Sequence, residues 1–248
     1  MNYITHKKAG ISLIIFTVLL VFTMLHHPSG GSMQHLSDIA VMIVITHSVA
    51  ILALPFGWIG FWGLTLKLGT DRFGSVLAFA MISLGLIAVL LAGATNGQVF
   101  PIFMQHYRDA PPETMTAIDP ILRYSLAVNH AFDYVYTVAI GLAILCWSIE
   151  ILVTRKLPVW IGWVGVALAI FIVALFIFGV EVNSVHGLRL WGAGLVLWLL
   201  VTGGALVIPD ESIFASAGGG ILLITLLTVS YQSLKAAFIN PVRSLRTE

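Results

Sequence analysis

The sequence predicts an all-α fold: a polytopic membrane bundle of six transmembrane helices followed by a seventh, C-terminal hydrophobic helix. Three observations carry this. Of 248 residues 59% are hydrophobic and only 9% charged, with a mean hydropathy of +1.01, whereas ordinary soluble domains carry roughly 25% charged residues. The apolar residues gather into runs of about the length a helix needs to cross a bilayer. The polar breaks between the runs, together with the two terminal segments, hold most of the Lys, Arg and His.

Lys7 and Lys8 precede an apolar run from Ala9 to Leu25, short but sufficient for a first span. The following His26-His27-Pro28-Ser29-Gly30-Gly31 offers no small-x-small cleavage site, so the helix is expected to be retained. Asp38 to Leu66 is the second run, with the span expected to end near Leu54, because Pro55 and Gly57 favour a kink or break. Trp58 and Trp62 then suit the membrane interface ahead of Lys67 and Arg72. Phe73 to about Phe100 makes the third span, with Asn96 and Gln98 near its end and Pro101 as the exit, followed by a polar loop from Gln105 to Asp119.

The fourth span lies within Ile121 to Val153. The fifth begins at Pro158, with Trp160 and Trp163 at its start, and runs through Val180. A turn at Glu181 to His186 leads to the sixth, Gly187 to Val207, whose Gly192, Gly194, Gly203 and Gly204 permit close backbone approach. Ile208-Pro209-Asp210-Glu211-Ser212 is a polar break before the seventh apolar run, Ile213 to Tyr231. The domain division expected is therefore residues 1–207, the six-helix domain, and 208–248, a last helix with a basic tail.

Ionisable groups inside a span are expensive and mark candidate functional sites. The stretch Asn129-His130-Ala131-Phe132-Asp133-Tyr134 stands out, and Asn129, Asp133, Thr137 and Gly141 recur every four residues as one helical stripe. His47 and His130 both lie roughly 14 Å in from the same face by helical rise, and Asn96 approaches from the third span. The intramembrane polar cluster is thus His47, Asn96, Asn129, His130 and Asp133. It reads either as a haem or divalent-metal site held by His47 and His130, as a proton relay through Asp133, or as an interhelical polar clasp. His26, His27, His35, His106 and His186 gather near the same face in this topology, a weaker metal-binding pattern lacking His-Glu-x-x-His spacing.

No phosphate loop, nucleophile elbow or dinucleotide fingerprint is present, so a non-enzymatic protein is expected. The net charge of +1 leaves no basic footprint for nucleic acid. The single Cys146 excludes intrachain disulfides and reads as a small core residue. With the N-terminus in the cytoplasm of a multi-pass cell-membrane protein, Lys7, Lys8, Lys67, Arg72, Arg155 and Lys156 fall inside, against Arg108, Arg123 and Arg189 outside. A seventh crossing would then carry Lys235, Arg243 and Arg246 to the outside, against the rule.

The tail supplies a further lead. Asn240-Pro241-Val242-Arg243-Ser244-Leu245-Arg246-Thr247-Glu248, preceded by Thr228-Val229-Ser230-Tyr231-Gln232, resembles the last helix and C-terminus of FtsX/MacB-type ABC transporter permeases over residues 212–248. That resemblance implies a cytoplasmic tail in which Asn240, Pro241, Val242, Ser244, Leu245, Arg246 and Glu248 dock an ABC-type ATPase subunit. The large extracytoplasmic domain and three-helix core of that family have no counterpart here, and a fused, nonfunctional tail is the alternative. Residues 1–207 resemble six-helix bacterial membrane proteins without an assigned activity, through His26-His27-Pro28 and Asn96-Gly97-Gln98-Val99-Phe100-Pro101. The function expected is a non-enzymatic, transport-associated membrane module in the lipid bilayer. The alternatives are a haem- or metal-binding membrane protein and a membrane protein of other role with a fused tail.

Overall fold

In the lipid interior every backbone polar group must find its partner within the chain, so apolar runs of this length become helices. A computed structural model describes residues 3–27, 33–179 and 185–208, and those residues are all-α. Helix α1 is Tyr3–His26, α2 Met33–Asp38, α3 Ala40–Leu68 and α4 Phe73–Ala94. A π-helical turn, Thr95–Val99, joins α4 to α5, Phe100–His106; α6 is Pro112–Thr154, α7 Val159–Ile177 and α8 Val185–Val207. Five stretches are long and apolar enough to cross a membrane: His6–His26, Ala40–Leu68, Phe73–His106, Pro112–Thr154 and Val159–Ile177. Trp191–Val207 is a shorter apolar helix. The chain divides into two units, Met1–Val207 and Ile208–Glu248. The expected seventh helix and the tail, residues 240–248, lie outside the described residues. So do residues 180–184, which hold the expected end of the fifth span and most of the turn after it.

Three boundaries differ from the sequence expectation. Helix α3 does not break at Pro55 but runs unbroken to Leu68 with the proline inside it, which neighbouring helices make tolerable in a membrane span. Pro101 is not an exit. The helix runs on through it from the π turn to His106, and the proline follows directly on that turn. The expected loop from Gln105 to Asp119 is short, because α6 begins at Pro112 and extends over 43 residues, about 65 Å at helical rise. That is roughly twice the hydrocarbon thickness, so part of α6 must extend beyond such a layer, and its N-terminal turns with Glu113, Asp119 and Arg123 are the part suited to lie outside it. There Phe100, Met104, Ile118 and Leu122 form a small separate core with Leu36, Phe103, Tyr107 and Met115.

The long helices pack in chain order: α1 on α3, α3 on α4, α4 on α6, α6 on α7, α7 on α8, and α8 back on α1. The ring is closed at its centre by aromatic side chains. Trp147 of α6 is fully buried and stacks on Phe61 of α3 at 5.2 Å and on Trp198 of α8 at 6.4 Å. Its Nε1–H donates to Thr65 Oγ1 at 3.2 Å, and Trp198 Nε1–H donates to the Ile161 carbonyl of α7 at 3.2 Å. Phe16 of α1 meets Phe61 edge-on at 5.8 Å. Outward, α3 exposes Val41, Ile45, Leu52 and Ile59, spaced by four and seven residues, so its outer stripe is as apolar as its inner one. Helices apolar all round belong in lipid or in a large core.

Small residues set the spacing between α1 and α3. A Cβ at Gly63 would fall on the Ala9 side chain, one at Gly60 would lie 3.0 Å from Leu13, and one at Gly57 3.0 Å from the Phe16 ring. Close backbone approach of this kind is how membrane helices gain packing energy. Gly63→Val is therefore expected to destabilise the bundle by about 1–3 kcal/mol, read as a lowered unfolding midpoint in detergent. Gly192→Ala, where a Cβ meets nothing within 4 Å, should stay within about 0.5 kcal/mol.

Candidate functional site: a polar layer at a π-helical turn

The turn Thr95–Val99 carries the sequence Thr-Asn-Gly-Gln-Val. At the start of this π turn the Thr95 hydroxyl lies 2.8 Å from the Leu91 carbonyl and 3.2 Å from the Ala92 carbonyl as a donor, both of which also accept from the Thr95 backbone N–H. Gly97 is buried, and any Cβ there would collide with the His47 side chain; the glycine lets the turn lie directly on α3. Gln98 Nε2–H donates across to Ser48 Oγ at 2.9 Å and, more weakly, to the Val44 carbonyl at 3.5 Å. Asn96 Oδ1 is buried without a hydrogen-bond partner. His47 is buried, its Nδ1 lies 2.8 Å from the Ile43 carbonyl, and its ring lies beside that of His27 at 5.1 Å between centroids. Two of the expected residues, His47 and Asn96, thus come together at this turn, through the intervening Gly97.

The other three lie together on α6. Asn129 Nδ2–H donates to Asp133 Oδ2 at 2.9 Å, and Thr137 Oγ1–H to the Asp133 backbone carbonyl at 2.8 Å. His130 is exposed and close enough to Asp133 to act on it electrostatically. The clasp expected between helices is therefore satisfied, for Asn129 and Asp133, within one helix at i and i+4. The side-chain contacts described between α3 and α6 are those of Phe61 and Thr65 with Trp147, about 21 and 27 Å along α3 from His47 by helical rise. Among the described residues no group of three or more His, Cys, Asp or Glu is gathered as for a metal ion. His26 bonds back to the Phe22 carbonyl through Nδ1 at 2.9 Å, and Cys146 is half-buried.

Sequence reasoning passed over a second polar centre. At the end of the bundle that holds Lys67 and Lys156, Arg72 pairs with Glu150 of α6, and Lys156 Nζ–H donates to the Leu68 carbonyl at 2.8 Å. The available signal was that Glu150, Arg72 and Lys156 all fall at the same predicted membrane face. At the opposite end Arg108 pairs with Asp38 at 2.6 Å.

No protein-family model, curated protein or solved structure matches the chain. The resemblances of its tail and of its first 207 residues gain no support from these comparisons.

The Glu150 side chain is 10% exposed and that of Arg72 35%, so removing the arginine strands a largely buried carboxylate. Arg72→Met is expected to cost roughly 1–3 kcal/mol, and Arg72→Met with Glu150→Leu to cost less than the single change. Unfolding midpoints of the three proteins in detergent check this.

Proposed function

We propose that this is a non-enzymatic, transport-associated membrane module whose six helices of residues 1–207 cross a cell membrane with the N-terminus in the cytoplasm. The observation that carries the reading is the buried, unpartnered Asn96 Oδ1 in the π turn. An unsatisfied amide oxygen among apolar helices costs about 1–3 kcal/mol, and intramembrane polar groups mark solute or ion pathways. Asn96, Gln98 and His47 supply donors and acceptors suited to a small polar solute, and a π turn can change its hydrogen bonding without unfolding the helix. The Lys67, Arg72 and Lys156 end supports the orientation through the positive-inside rule.

A docking role for Asn240 to Glu248 toward an ABC-type ATPase rests on the tail sequence alone. A haem or metal held between His47 and His130 draws no support from the arrangement, since His47 packs on Gly97 and His130 is exposed beside Asp133.

Because Cys146 is the only cysteine, a Cys146→Ser background allows single-cysteine labelling with a membrane-impermeant maleimide. Asn96→Cys and Gln98→Cys are expected to label from the aqueous phase, whereas Leu84→Cys, on the exposed apolar surface of α4, should not. Absence of labelling at both polar positions would reduce the layer to a helix-packing clasp and overturn the transport reading.

A further inference from the structure

His27, the residue that follows α1, and His47 of α3 bring two imidazoles side by side. His27 and His47 have ring centroids 5.1 Å apart and ring planes at 59°. A carbonyl oxygen can only accept, so the 2.8 Å contact of His47 Nδ1 with the Ile43 carbonyl puts the proton on Nδ1. Nε2 of the neutral ring then carries the lone pair. A ring N–H held by a backbone carbonyl is the usual support of a metal-ligating histidine, because it fixes the tautomer and raises the basicity of the other nitrogen.

The ring separation discriminates among ligation geometries. With a metal–nitrogen bond of about 2.0–2.1 Å, two imidazoles at the tetrahedral angle have centroids about 5.2 Å apart. Ligands on opposite sides of one ion, as on a haem iron, would hold them more than about 6 Å apart. The observed spacing fits the first and not the second.

We propose that His27 and His47 form a two-histidine site for a tetrahedral divalent transition-metal ion of the Zn2+ class, water completing its coordination. The proposal goes beyond the transport reading and does not depend on it. With two protein ligands the ion is exchangeable, and no third His, Cys, Asp or Glu is gathered with them among the described residues. His27, just after α1, is only half-buried, which gives the ion a route in.

The test uses the purified full-length protein in detergent and Co2+, whose visible absorption is strong in tetrahedral and weak in octahedral surroundings. One equivalent of Co2+ is expected to give the strong band and Zn2+ to displace it. His27→Ala and His47→Gln should each weaken binding about tenfold or more, while His106→Ala and His130→Ala leave it unchanged. His47 packs on the π turn, so His27→Ala decides if His47→Gln fails to fold. An undiminished band in His27→Ala, no band in the unmodified protein, or equal loss in His106→Ala would each overturn the proposal.

Discussion

Trp147 ties together helices that the chain order alone would leave as neighbours on a ring. Its indole stacks between Phe61 and Trp198 and donates to Thr65, so one side chain of α6 touches both α3 and α8. Lipid tails are as apolar as leucine, and burial by itself gives membrane helices little reason to associate. Large flat aromatics and satisfied N–H groups supply that reason through dispersion and hydrogen bonding. The extension to α7 through Trp198 and to α1 through Phe16 uses the same chemistry.

Around this centre the polar groups are segregated by depth. The Arg72–Glu150 pair and the Lys156 contact close one end. Asp38 and Arg108 pair at the other. Between them, the π turn and the Asn129–Asp133 pair are set into apolar helices, and their polar groups are satisfied differently. Asp133 finds its donor one turn away on its own helix, so its cost is met locally. Asn96 does not, and Gln98 reaches a different helix. That contrast singles out the π turn rather than the more conspicuous Asn-His-Ala-Phe-Asp stretch.

The close approach of helices was legible only in part. Glycines on the last described helix are conspicuous as a cluster, and Gly203 and Gly194 do lie close on Gly10 of α1 and Leu168 of α7, yet Gly192 meets nothing within 4 Å. Gly57, Gly60 and Gly63, which seat α1 against α3, are hidden among interfacial tryptophans that suggest a span end. Pro55 misleads for the same reason: a proline breaks an isolated helix, but neighbours in a bundle can hold it in register. The π turn has no sequence signature of its own, because a one-residue insertion leaves composition and hydropathy unchanged.

What the sequence determined by itself was the solvent and the class. Runs of apolar residues with so few charges can be stable only as helices in lipid, and that follows from backbone hydrogen bonding whatever the neighbours are. It also picked out His47, Asn96, Asn129, His130 and Asp133 as costly. Only the tertiary structure decided which of them meet. Helical rise gives depth along a span but not the helix beside it, so His47 and His130 looked equivalent at equal depth. Packing places His47 against His27 and Gly97, while Asp133 is served by its own helix.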